Sequence, residues 1–234
     1  MTGEQLVIAI DGPAGAGKST VARRVADALG YLYIDTGAMY RAATWLVLRA
    51  NINPQDLEAI VNLIAASELE LRPGNEVSAG RQRVFANSEE ITDEIRSLAV
   101  TRLVSPVSAI PGVRGCLVQQ QQKLAAAGGV VMDGRDIGTV VLPDADLKIF
   151  LNASPAVRAA RRLKELDQLG ETADFQVVLQ DIKDRDQQDS SRAVAPLRQA
   201  QDAIPINSDN MTIDEVVERI LGLCRRQMES PGHQ

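Results

Sequence analysis

Leu6-Val7-Ile8-Ala9-Ile10-Asp11-Gly12-Pro13-Ala14-Gly15-Ala16-Gly17-Lys18-Ser19 is the stretch whose reading decides the fold. From Gly12 onward it matches G-x-x-x-x-G-K-[ST], and it lies between an apolar strand run, Leu6 to Ile10, and a helical stretch. In that setting the pattern has a mechanism. Its glycines let backbone N–H groups turn inward around phosphates, and the helix beginning near Lys18 directs the positive end of its dipole at them. Lys18 then neutralises β/γ-phosphate charge, and the Ser19 hydroxyl is a Mg²⁺ ligand. The expected ATP contacts are Gly12, Pro13, Ala14, Gly15, Ala16, Gly17, Lys18, Ser19 and Thr20.

Composition narrows the class. The 234 residues, 45% hydrophobic, suffice for one α/β domain with an appendage and a real core. A net charge of -6 argues against a broad nucleic-acid surface, so phosphate chemistry must rely on local arginine clusters. Cys116 and Cys224 lie far apart in apolar helical patterns and read as reduced core residues. The run Leu6 to Ile10 is too short for a signal peptide and no run reaches transmembrane length, so a cytoplasmic location without membrane partners is expected. The single histidine, His233, follows Ser230-Pro231-Gly232 in a tail expected to fray, which removes histidine from acid–base or metal roles.

Periodicity predicts an α/β phosphate-loop core: a parallel sheet flanked by helices, with ligands at its carboxyl edge. Strands are expected at Leu6–Ile10, Tyr31–Ile34, Val130–Met132, Leu147–Leu151 and Ile204–Asn207. Helices are expected over Val21–Leu29, Met39–Arg49, from Asn53-Pro54 to Ala66, over Ile91–Val104, from Pro111 to Gly128-Gly129, from Ser154-Pro155 to Leu169, and from Asp174 to about Ser190. Thr212 with Glu215 forms a capping box for a terminal helix. Glu68–Leu71 and Gln82–Phe85, around the Gly74-Asn75 turn signal, read as antiparallel strands. They interrupt the alternation, so about 67–105 is expected to be an inserted, substrate-side subdomain in a single domain with core 5–66 and 106–228.

Three groups point to a small-molecule kinase. Asp35-Thr36-Gly37-Ala38-Met39-Tyr40-Arg41 puts a hydroxyl and an arginine after the second strand. Asp133-Gly134-Arg135-Asp136-Ile137-Gly138 puts two carboxylates and an arginine after the buried strand. Arg185, Asp189 and Arg192, at i, i+4 and i+7, share one face if the helix continues that far. Plainer readings fit each group alone. Arg185 and Asp189 also suit a surface pair, Arg158, Arg161 and Arg162 a solvated helix face, and Asp35-Thr36 a helix cap.

Taken with Arg192-Ala193-Val194-Ala195-Pro196-Leu197, these motifs make the chain from about Leu6 to Leu221 resemble the bacterial-type cytidylate kinases, phosphate-loop nucleoside monophosphate kinases with an enlarged monophosphate-binding insertion. The resemblance implies ATP-dependent phosphorylation of CMP, and of dCMP, in pyrimidine nucleotide metabolism, with Mg²⁺ and a helical lid at about 155–175; a monomeric chain is expected. It implies that Thr36, Arg41, Arg135 and Arg192 hold the acceptor phosphate, that Arg185 with Asp189 meets the ribose, and that Ser105, Arg114 and Asp136 read the base. Lys18, Arg161, Arg185 and Arg192 are the candidate catalytic cations, Arg161 as a lid arginine. Asp133 is a candidate metal contact through water.

The chemistry agrees with that implication. A carboxylate such as Asp136 accepts from the exocyclic amine of cytosine and repels the carbonyl of uracil, and the anionic acceptor oxygen of a monophosphate needs no histidine base. Two other classes remain open on the residues alone: another small-molecule kinase, for uridylate or shikimate, and a nucleotide-sensing regulatory module.

Overall fold

The structure, a computed structural model, describes residues 5–74, 82–168 and 170–229. Asn75 of the expected turn, Leu169 and the tail with Ser230-Pro231-Gly232 and His233 lie outside the described residues. The chain divides into two compact units, Met1–Tyr33 with Ala127–Gln234, and Ile34–Ala126.

The first unit is built on strand β1 (Val7–Asp11), whose apolar run pairs in parallel on both sides. Strand β6 (Val130–Gly134) lies on one side, with Ile10 opposite Asp133 and Asp11 opposite Gly134; β7 (Leu147–Asn152) lies on the other, with Ile10 opposite Ile149. With β2 (Leu32–Asp35) and β8 (Ile204–Asn207) the sheet runs in the order β2-β6-β1-β7-β8. Near-continuous burial along β1 and β6 is what a parallel sheet covered on both faces requires. Helix α1 (Lys18–Leu29) presents Val21 and Val25, and α8 (Ile213–Glu229) presents Val216 and Ile220, to Ile8, Ile10, Ile149 and Ile206. The expected capping box starts α8: Thr212 N–H donates to the Glu215 carboxylate (2.8 Å), and Glu215 N–H to the Thr212 hydroxyl (3.2 Å). Helices α6 (Pro155–Gln168) and α7 (Phe175–Ser191) pack together, and Asp174 caps α7 through Gln176 and Val177 N–H.

The second unit holds α2 (Thr36–Arg49), α3 (Leu57–Ala65), α4 (Leu98–Ala109) and α5 (Pro111–Ala125), with an antiparallel sheet of β3 (Leu69–Arg72), β4 (Arg83–Ala86) and β5 (Glu89–Glu90). Helix α2 packs on α4, and α3 on α5, and Met39, Ile60, Ile64, Ile95 and Leu117 of this unit are fully buried. Two expected helix starts move later in the chain. Asn53 folds into a local turn, its side chain accepting from Gln55 N–H, and α3 is capped by Asp56 instead (Ala59 N–H, 3.0 Å). The helix expected at Ile91–Val104 begins only at Leu98, capped by Ser97. Thr92 ties the preceding segment to β4 by accepting from Val84 N–H (3.0 Å), which favours β5 and a single 3₁₀ turn, Glu94–Arg96, over helix.

Gly12 joins strand to phosphate loop where no side chain fits. At φ 151°, a Cβ on it would lie 2.0 Å from the Leu151 carbonyl oxygen of β7, well inside contact distance. Gly12→Ala is therefore expected to lower the free energy of unfolding by roughly 2–4 kcal/mol. Urea unfolding checks it, and an unchanged midpoint contradicts the close approach.

Candidate active site

The carboxyl ends of β1 and β6 and the loops that follow them gather the polar groups of the first unit. Gly17, in the left-handed region, caps α1, so Lys18 and Ser19 open the helix as the motif predicts. Lys18 is buried, and its ammonium donates to the Pro13 carbonyl oxygen (2.8 Å). Burial, and then Arg135, push its pKa down to about 7, against the pull of Asp133, Asp11 and Asp189. Ser19 is exposed and donates from its hydroxyl to the Asp133 carboxylate (3.0 Å), which also accepts from Tyr33 Oη (2.8 Å). A hydroxyl beside a carboxylate is a donor set for a hard cation. Among the described residues no group of three or more His, Cys, Asp or Glu could hold a metal alone, so such an ion would draw most of its ligands from phosphates and water.

Asp11, which lies just outside the phosphate-loop motif, ends β1 directly before Gly12. It is buried and accepts from two successive amides, Ile137 N–H (2.8 Å) and Gly138 N–H (2.7 Å). Desolvation by burial raises its pKa to about 6, with Asp136 adding to the rise and both N–H bonds and Lys18 opposing it. The signal was available: an acidic residue closing an otherwise apolar central strand must find donors at the sheet edge. After Asp136 the chain makes a wide π turn, Ile137–Val141, which periodicity does not reveal. Asp136 itself is buried.

Asp189 forms a second centre. It is buried in α7, where Arg135 Nε (2.8 Å) and the Arg192 guanidinium (2.5 Å) each bind one of its oxygens. Burial alone would raise its pKa, but Arg135, Arg192 and Arg185 together hold it below the usual carboxylate range. The expected helical stripe needs correction at one end. Helix α7 stops at Ser191, and Arg192 has left helical geometry (φ -55°, ψ 135°), so Arg192 meets Asp189 from the chain reversal beyond the helix.

The three arginines of α6 separate. Only Arg162 is a solvated surface residue, paired with Glu165. Arg158 is buried and donates to the carbonyl oxygens of Ala153 (2.8 Å) and Ala14 (3.0 Å), while both of its terminal nitrogens grip the Asp186 carboxylate of α7. Arg161 donates to the carbonyl oxygens of Ser208 (2.7 Å) and Ala16 (3.4 Å). Both are thus tied to the phosphate loop backbone.

In the second unit Thr36 is the buried first residue of α2, following Asp35, whose carboxylate caps the helix at Ala38 N–H (3.0 Å). Arg41 donates to the Thr101 hydroxyl (3.2 Å), Ser105 is half-buried on α4, and Arg114 is buried on α5 with its guanidinium 5.2 Å from the Tyr40 ring centre.

A strand–loop–helix cradle on the central strand of a parallel sheet, with a buried lysine and a hydroxyl opening the helix, defines a phosphate-loop α/β protein. The family model described as "Cytidylate kinase" matches residues 8–226. The chain is 49% identical over 226 residues to the "Cytidylate kinase" of Anoxybacillus flavithermus (strain DSM 21510 / WK1), covering 97% of this chain and 99% of that protein. It is 51% identical over 225 residues to the "Bifunctional pantoate ligase/cytidylate kinase" of Prochlorococcus marinus (strain MIT 9313), covering 96% of this chain but 44% of that protein. This chain therefore spans under half the length of such bifunctional relatives. A crystal structure of an uncharacterized protein from Eubacterium ventriosum ATCC 27560 shares the fold at TM-score 0.51 and 13% identity, over 95% of this chain and 99% of that one. The chain belongs to the cytidylate kinase family. Among the described residues no helix is long and apolar enough to cross a membrane.

Arg158 generates a prediction that a solvated arginine would not. Arg158→Ala leaves the Asp186 carboxylate and two carbonyls without their donors, and is expected to cost about 3 kcal/mol. Asp186→Asn is expected to cost less, because Asp186 is a quarter exposed. The double variant should depart from additivity by about 1–2 kcal/mol in urea unfolding, whereas additive losses would deny the coupling.

Proposed function

We propose that the chain transfers the γ-phosphoryl group of ATP to CMP, and to dCMP, giving ADP and CDP or dCDP in pyrimidine nucleotide metabolism. The observation that supports this most is a buried phosphate-loop lysine beside a carboxylate–arginine cluster at one sheet edge of a chain in the cytidylate kinase family. An anionic ligand beside Lys18 would favour its charged form.

In this reading the acceptor's phosphate oxygen attacks the γ-phosphorus in line, the bond to the β,γ-bridging oxygen breaks, and ADP leaves with those electrons. Such a transfer needs positioning and charge stabilisation rather than a strong base. The loop amides and Lys18 hold the donor phosphates. Ser19, directly, and Asp133, through water, would hold Mg²⁺, whose role is to neutralise charge on the β- and γ-oxygens. In the first unit Arg135 and Arg192 would take the acceptor phosphate, Arg185 with Asp189 the ribose, and Asp136 the cytosine amine. In the second unit Thr36 and Arg41 would serve the phosphate, and Ser105 with Arg114 the base. Arg161 would stabilise the transferring group as a lid over about 155–175 closes and excludes water. The segment at about 67–105 would serve as the monophosphate-binding insertion, in a monomer working in the cytoplasm.

A coupled assay with ATP and a panel of monophosphates tests the proposal: CMP and dCMP are expected to be the preferred acceptors, and a chain preferring UMP or AMP would refute it. Lys18→Ala should depress kcat, while Arg41→Ala should raise KM for CMP by roughly 1.5–3 kcal/mol in free-energy terms. Unchanged CMP kinetics in Arg41→Ala would remove Arg41 from the acceptor site. Asp136→Asn should narrow the CMP-over-UMP preference in kcat/KM by about 1–3 kcal/mol, with CMP activity falling. Equal loss toward both nucleotides would assign Asp136 to scaffolding.

A further inference from the structure

We infer that Asp11 is a specificity-positioning residue: by binding the Ile137 and Gly138 amides it fixes Asp136 relative to the phosphate loop, and so sets the preference for cytosine over uracil. The inference rests on the proposed reading of the base by Asp136. Its ground, however, is a geometry that this reading does not use.

The peptide group that follows Asp136 is held at both of its polar atoms. Its carbonyl oxygen, belonging to Asp136, accepts from Val140 N–H (2.9 Å) and Val141 N–H (3.2 Å). Its N–H, belonging to Ile137, donates to one oxygen of Asp11 (2.8 Å), and the next N–H, of Gly138, donates to the other oxygen (2.7 Å). A peptide plane fixed at both ends fixes the Asp136 Cα and its Cα–C bond, so that only ψ, 24° at Asp136, remains to set the direction in which the side chain leaves the backbone. The space around the second amide is narrow. A Cβ on Gly138 would meet Asp11 at 3.4 Å and Lys148 Cδ at 3.1 Å, and Lys148 is itself held by Asp202 (2.7 Å). On its other side Asp11 is bonded to Gly12, the first residue of the phosphate loop, and it lies opposite Gly134 in the β1–β6 register. One buried carboxylate therefore spans the donor loop and the segment that carries the base reader.

Only a carboxylate can do this. It offers an acceptor to each of two adjacent N–H groups, whereas an amide offers one acceptor and turns its NH₂ toward the second donor. Glutamate keeps the charge but carries one methylene too many for the same two bonds.

The test is steady-state kinetics of Asp11→Asn, Asp11→Glu and Asp136→Asn with CMP and UMP, together with amide hydrogen exchange at Ile137 and Gly138. Ile8→Val, a small cavity in the same strand, reports what lowered stability alone does. Both Asp11 variants are expected to speed exchange at the two amides and to narrow the CMP-over-UMP preference by about tenfold, the scale of one weakened base contact. Ile8→Val should leave the preference intact. If Asp11→Glu keeps wild-type preference, charge rather than geometry is the contribution and the inference fails. It also fails alone if Asp136→Asn narrows the preference while Asp11→Asn does not. A wild-type chain indifferent between CMP and UMP overturns the reading of Asp136 and this inference together, and is recognised before any variant is made.

Discussion

Charge withdrawn from water at the carboxyl edge of the parallel sheet is the constraint around which the first unit is arranged. Asp11, Lys18, Asp133, Asp136, Arg158 and Asp189 are all buried there, and an unpaired buried charge would cost several kcal/mol. Each of those whose bonds are described above is answered by specific donors or acceptors, which explains the density of polar contacts between strand ends, loops and α7. The compensation is unequal. Asp189 is held below the ordinary carboxylate range by three arginines, whereas Asp11 is pushed up and Lys18 down. Lys18 thus folds into a place where its charged form is under-stabilised, a departure from maximal stability of the kind binding sites tolerate.

Three cations shape the loop. Lys18 takes the carbonyl oxygen of Pro13, Arg158 that of Ala14 and Arg161 that of Ala16. Carbonyls drawn toward cations in this way leave the loop's N–H groups to point elsewhere, which is the arrangement an anion-binding nest needs. The arginines of α6 therefore belong to the architecture of the phosphate loop as well as to any role with the donor.

Much of this was legible in the sequence. The five parallel strands and the phosphate loop follow from apolar runs and a spaced motif, and the capping box of α8 from two side chains that act locally. The start of α3 turns on a local choice between Asn53 and Asp56, whereas three features that periodicity leaves open depend on partners in other elements. Thr92 delays α4 because it reaches β4, Arg158 is buried because Asp186 and Ala14 face it, and Asp11 matters because a π turn more than a hundred residues later needs an acceptor. Arg192 is instructive in the other direction: the helix ends before it, yet its guanidinium still reaches Asp189.

The central claim is that the buried charge around Lys18 is organised for a nucleotide's phosphates rather than for the stability of the fold. Equilibrium unfolding of the wild-type chain and of Lys18→Met, each with and without ATP, measures this directly. Without nucleotide, Lys18→Met should cost less stability than Arg158→Ala, because burial and Arg135 already disfavour the Lys18 ammonium and offset part of what Pro13, Asp133 and Asp11 lose with it. With ATP at 100 times Kd, wild type should gain about 2.7 kcal/mol and the variant almost nothing. A loss of stability in Lys18→Met without nucleotide as large as that of Arg158→Ala, or an equal gain from ATP in both proteins, would contradict the account.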